Sequence, residues 1–142
     1  MALNFITDRT EEDLLLGNDK GLYQAADLNR VEQDVKELVA MLPALDISLT
    51  VTTKTNWAAP GAFSSSEWPT TAQMQRYLSN VQTLAAKLDI STDSLPASMD
   101  YLNYESANAI ERVLLQIYEK IKAIKQAYQF SGELIAGEET GI

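Results

Sequence analysis

The 142-residue sequence contains no cysteine and no histidine. Their absence excludes disulfides, thiolate chemistry, imidazole general bases and the usual zinc and haem ligands together. Positive charge is scarce as well: 11 Lys plus Arg stand against 20 Asp plus Glu, a formal net charge of −9. That balance repels a phosphate backbone and an anionic membrane surface, so neither nucleic acid nor membrane is an expected partner. Long apolar runs are missing. The longest, Leu38 to Leu45, covers eight residues even with Pro43 included, against roughly 20 for a spanning helix. The first residues reach Asp8 before any apolar stretch and have no basic start, so they do not read as a secretory signal. Length and composition fit one domain.

Catalytic motifs are also lacking. Without His, a nucleophilic Ser needs a Lys partner, yet no Ser has Lys three positions downstream and no G-x-S-x-G occurs. Gly132, Gly137 and Gly141 match neither phosphate-binding glycine motif. Paired carboxylates such as Glu105 and Glu111, or Glu138 and Glu139, need a cleft to shift one pKa, and a narrow helical seam offers little. The acidic cluster Asp8, Glu11, Glu12 and Asp13 lacks the ligand alternation and central Gly of a calcium loop, and reads as a solvated face. The expectation is a protein that is not an enzyme and has no cofactor or metal.

What the sequence does contain is helical periodicity in three segments, each with apolar residues at alternating 3,4 intervals. Leu28, Val31, Val35, Leu38 and Leu42 form the first seam, and Met74, Tyr77, Val81, Leu84 and Leu88 the second. The third holds Ala107, Ile110, Leu114, Ile117, Ile121, Ile124 and Tyr128 without a break. Thr70 with Gln73 reads as a capping box, and Asn103 as the cap of the third helix. Glu32 and Lys36 read as an i,i+4 pair on the exposed side of the first helix. The fold class expected is mainly α: a three-helix bundle with heptad-like seams. Its helices lie at about 27–42, 71–88 and 104–128, within a helical domain at 25–142, behind an acidic N-terminal arm at 1–24.

About 27 residues between the first two helices are too many for a structureless loop. Ile47, Leu49 and Val51 alternate with polar residues in a half-buried strand pattern. A lone strand needs a partner. The candidates are the C-terminal tail at 129–142, where Ser131 to Ile135 follow Phe130, or the same strand of another copy. One or two short β-strands are therefore expected in the 43–69 connection and the tail. Trp57 and Trp68 read as staples for that connection.

At about 1.5 Å per residue the three helices span roughly 24, 27 and 37 Å. If they pack side by side, the far end of the third projects beyond its neighbours and its seam lacks cover. Ile117, Ile121, Ile124, Tyr128 and Phe130 are the expected interface residues, with exposed apolar strips of this kind marking association surfaces; the alternative is that the Trp-bearing connection or the N-terminal arm folds over that seam.

Four stretches carry a resemblance. Tyr23 to Val35 (YQAADLNRVEQDV), Pro69 to Val81 (PTTAQMQRYLSNV), Leu95 to Leu115 (LPASMDYLNYESANAIERVLL) and Tyr128 to Glu133 (YQFSGE) resemble small structural proteins from the tail modules of bacteriophages and prophages of Gram-positive bacteria. Such proteins are tail, baseplate or fibre components. The resemblance implies a scaffold made in the bacterial cytoplasm and carried in the virion tail if assembled, and it transfers no catalytic residue. Partners implied are the chain itself, a trimer being one closed form, and other tail proteins. Members often continue into a receptor-directed C-terminal region. Here little follows YQFSGE, so an adaptor or assembly role is expected in place of host recognition. The alternative is a monomeric helical module that captures another protein's amphipathic helix.

Overall fold

The structure is a computed structural model that describes residues 3–18, 20, 25–57, 69–100 and 102–141, with side chains described through 127 in the last helix. It is mainly helical. The elements are α1 (Glu11–Leu16), α2 (Ala25–Met41), a 3-10 turn (Leu42–Leu45), α3 (Thr71–Lys87) and α4 (Tyr104–Gly141). α2, α3 and α4 each contact the other two, and the 3-10 turn packs on α2 and α4.

Local chemistry sets the helix ends. Thr70 and Gln73 form the expected capping box at the start of α3, each side chain bonded to the other's backbone N–H. Asn103 caps α4, its Oδ1 accepting the Ser106 N–H at 2.7 Å. Pro43 stops α2 by removing a donor and crowding the preceding turn, and the chain tightens into the 3-10 turn. Asp46, left-handed at φ 61, closes that turn.

The seams form one core. Leu28, Val31, Val35, Leu38 and Leu42 are buried, as are Tyr77, Val81, Leu84 and Leu88, and as are Ile110, Leu114, Ile117 and Ile121. Each large aliphatic side chain removed from water contributes about 1.5–3 kcal/mol, so these seams dominate the folding energy.

Three expectations require correction. First, α4 does not stop at 128: its helical backbone continues through 129–141, where a strand-forming tail was expected. No proline follows Pro96, and extending an existing helix is easier than starting one, so Ser131 and Gly132 do not break it. Second, no strand occurs among the described residues. Ile47 to Thr52 run without regular secondary structure, and the Thr52 carbonyl accepts from Arg76 Nη1 at 2.8 Å and Asn80 Nδ2 at 2.7 Å. Side chains of α3 thus do what a partner strand would do. Third, Glu32 is buried and does not make a surface pair with Lys36; it bonds Arg76, Trp57 and the Lys54 N–H. Within the N-terminal arm, residues 3–10 form an extended strap on the helices, with Leu3 and Phe5 packed against the core and Arg9 buried. Trp68, the other expected staple, lies outside the described residues.

Candidate functional site

The strap and the connection lie on the helices in the same way. The strap runs antiparallel to α4: the Phe5 ring sits 6.1 Å from that of Tyr118, the Ile6 N–H reaches Glu111 Oε1 at 3.0 Å, and the Arg9 backbone meets Asn108. At its start the Asn4 N–H reaches Asp34 on α2. The connection runs antiparallel to α2, with Lys54 N–H at Glu32 and Trp57 at Asn29.

Asparagine side chains make the clamps. Asn108 Oδ1 accepts the Arg9 N–H at 3.0 Å while its Nδ2 donates to the Arg9 carbonyl at 2.9 Å. Asn29 treats Trp57 identically, at 2.6 and 2.9 Å. Each amide replaces one residue of a strand ladder, satisfying a donor and an acceptor of a segment that has no sheet to join.

Beneath the strap lies a charge cluster. Glu111 on α4 is fully buried, and its Oε2 accepts from Arg9 Nη2 at 2.5 Å and Arg30 Nη2 at 2.7 Å. Its Oε1 takes Arg30 Nε at 3.2 Å, which makes the Arg30 contact a two-bond fork. Arg30 Nη1 also reaches Asp27 Oδ1 at 2.8 Å, and Arg9 Nη2 lies 3.5 Å from the same oxygen. Burial opposes the Arg30 charge, but the hydrogen bonds to Glu111 and Asp27 outweigh it and push its pKa upward.

One group in this cluster is imperfectly met. Asp34 on α2 is buried, its Oδ1 accepts only the Asn4 N–H at 3.3 Å, and its Oδ2 has no partner. Burial pushes the Asp34 carboxyl up to about 7; the Asn4 N–H opposes this, and the charges of Glu111 and Glu37 add to it. Glu37 Oε2 is likewise buried without a partner.

Under the connection a second carboxylate, Glu32, is held by Arg76 in a fork of 2.6 and 3.1 Å. Trp57 Nε1 and the Lys54 N–H complete it, and the Lys54 ammonium lies 5.0 Å from the Trp57 ring centre. Trp57 is the staple that the sequence suggested.

Comparison with known proteins finds no family model, no curated protein and no solved structure that matches this chain.

The expected interface residues fall into three groups. Ile117 and Ile121 are 0% and 1% exposed, members of the core within one chain, so a single copy already covers them. Ile124 is half-buried against the core. Tyr128 and Phe130 lie on the backbone of α4, with side chains outside the described residues. Past Ile124, residues Lys125 to Ala127 are exposed. At 38 residues α4 is about 57 Å long, whereas α2 and α3, at 17 each, reach about 25 Å. Neither can run beside more than half of it.

Of the acidic cluster, Asp8, Glu11 and Glu12 are exposed, while Asp13 is half-buried in the capping box with Thr10. Lys20 bonds Asp8 and holds its carboxyl below the usual range. No group of three or more carboxylates able to hold a metal occurs among the described residues. A depression of about 130 Å³ lined by Thr70, Met74, Met99 and Asp100 is small beside ordinary ligand pockets of about 300–1,000 Å³. No helix is long and apolar enough to cross a membrane among the described residues.

Sequence reasoning missed the two charge clusters. The signal was in D-L-N-R-V-E, residues 27–32. Its apolar members Leu28 and Val31 enter the core, and each of its polar members, Asp27, Asn29, Arg30 and Glu32, holds a residue outside α2 or an arginine that does so.

Proposed function

We propose that this chain is a non-catalytic assembly component of the kind its sequence resembles, a tail, baseplate or fibre-associated adaptor of a bacteriophage or prophage. It acts by homo-oligomerisation of a three-helix bundle through helical surfaces, with other tail proteins as further partners. The observation that carries this reading is the length of α4, which exceeds twice that of the helices packed on it. Beyond the reach of those helices the sequence still supplies apolar residues, Tyr128, Phe130, Leu134 and Ile135, for contacts with sister copies. The buried charges support a structural role: both oxygens of Glu111 are occupied by arginine donors and a backbone N–H, so the carboxylate ties the strap to α2 and α4.

The test is molar mass by light scattering after gel filtration at micromolar concentration. The expected result is a multiple of 15.7 kDa. A persistent monomer overturns the reading. One observation favours the alternative, a monomeric helical protein-binding module: Ile117 and Ile121 complete their burial within one chain. Such a module stays monomeric alone and forms a defined complex with a partner that supplies an amphipathic helix.

A further inference from the structure

α1 is a well-capped helix that buries none of its residues. Thr10 and Asp13 close its start with a capping box, and Gly17 at φ 63 closes its end. An isolated six-residue helix is far too short to persist in water, so the caps and the Arg9 anchor hold it. What they hold is a cluster of leucines in solvent. Leu14, Leu15 and Leu16 are 45%, 79% and 69% exposed, one residue past the exposed acids Glu11 and Glu12. The complement of that surface is an apolar strip with a basic rim.

The same chain carries a basic stretch on α4 whose apolar members are the exposed Ala123 and Ala127 and the half-buried Ile124. Lys120, Lys122 and Lys125 place three of its 11 cationic residues within six positions, and no Asp or Glu lies between Glu119 and Glu133. Lys122, Ala123, Lys125 and Ala127 are exposed beside the half-buried Ile124. Of the other eight cations, Arg9, Arg30 and Arg76 sit in ion pairs of the two clusters and Lys20 on Asp8, while Lys122 itself lies over the Tyr118 ring of its own helix at 4.5 Å. The two surfaces sit at different heights on one molecule. Because the strap runs antiparallel to α4 and is clamped at Asn108, α1 leaves beside the start of α4, whereas Lys122 lies about 21 Å further along that helix.

We propose that α1 of one copy docks, leucines down, on the Lys120 to Ala127 stretch of α4 of a second copy. This rests on the assembly reading and names its contact. Two different patches make a heterologous junction, which repeats head to tail into a closed ring or an open filament. The leucines supply affinity, and the Glu11, Glu12 and lysine charges supply orientation and salt sensitivity.

The experiment is molar mass of the full chain at low salt for three proteins: wild type, Leu15→Ala/Leu16→Ala and Lys122→Glu/Lys125→Glu. Wild type is expected to be multimeric. Each variant should fall toward monomer, with the dissociation constant rising about tenfold or more per leucine removed. Circular dichroism should be unchanged, since none of the four residues is buried. Mixing the two variants is the decisive arm: each keeps one intact patch, so they should form a two-chain complex and nothing larger. If wild type assembles and both variants assemble equally well, the docking is overturned while the assembly reading stands. If wild type is monomeric throughout, both fall.

Discussion

The strap junction and the connection junction are built from the same parts and differ in one respect. Each lays an extended segment on the helices, clamps it with an asparagine amide, and pins it above a buried carboxylate gripped by arginine. Under the connection no carboxylate oxygen is left over: Glu32 receives Arg76, Trp57 and the Lys54 N–H. Under the strap there is one carboxylate too many, for Asp34 sits beside Glu111 with an unpartnered oxygen and a pKa raised to about 7. The strap junction is therefore sensitive to pH through Asp34. The sensitive one holds the strap that leads into α1.

The largest expected contrast comes from the carboxylates themselves. Glu111→Ala strands two guanidinium groups, one of them on a side chain only 2% exposed, and should cost about 3–5 kcal/mol in urea unfolding. Glu32→Ala strands Arg76, which is 23% exposed and can turn to water, so its cost should be smaller, about 2–3 kcal/mol. An equal or reversed order breaks the comparison.

Next come the clamps. Asn108→Ala and Asn29→Ala each leave a backbone donor and acceptor unmet, for about 1–3 kcal/mol. Hydrogen exchange should accelerate at the Arg9 amide in the first variant and at the Trp57 amide in the second. Acceleration at both sites in either variant would show that the two junctions are not independent.

Asp34 sharpens the pH contrast. Its folded pKa lies near 7 and its ordinary value is 3.8, so the folded state holds a proton that the unfolded chain releases between those limits. Stability from this group is therefore greatest below about pH 4, falls as pH rises to 7, and is level above that. Asp34→Asn removes the fall. The full shift converts to about 4 kcal/mol, and solvent screening reduces it to roughly half. The variant should accordingly exceed wild type by about 2 kcal/mol at pH 8 and match it near pH 4. A variant no more stable at pH 8 contradicts the reading of this junction. The smallest effect is expected of Lys36→Ala, within about 0.5 kcal/mol, because Glu32 is already held elsewhere.

Much of the helical framework was legible in the sequence, because it depends on local rules. The Thr70–Gln73 box, the Asn103 cap and the 3,4 seams are read from spacing alone, and the seam residues of α2 and α3 other than the half-buried Met74 are core residues in the fold. The junctions were not legible, because they join residues distant in the chain, 99 positions apart for Arg9 and Asn108 and 44 for Glu32 and Arg76. Glu32 and Asp34 flank the seam residues Val31 and Val35 on α2. By periodicity they lie on opposite flanks of that seam, about 160° apart, and different segments lie over them, the connection on Glu32 and the strap on Asp34. The expected strand at 47–52 failed for the same reason. Alternation records which side chains turn inward, but it does not record that asparagine and arginine side chains, not a second strand, meet the backbone.

Sedimentation equilibrium of the full chain from low to high micromolar concentration bears most directly on assembly through helical surfaces. The account predicts an average mass that rises with concentration above 15.7 kDa and falls back when salt is raised. A mass fixed at that of a single chain across the whole range, at low salt, would contradict it.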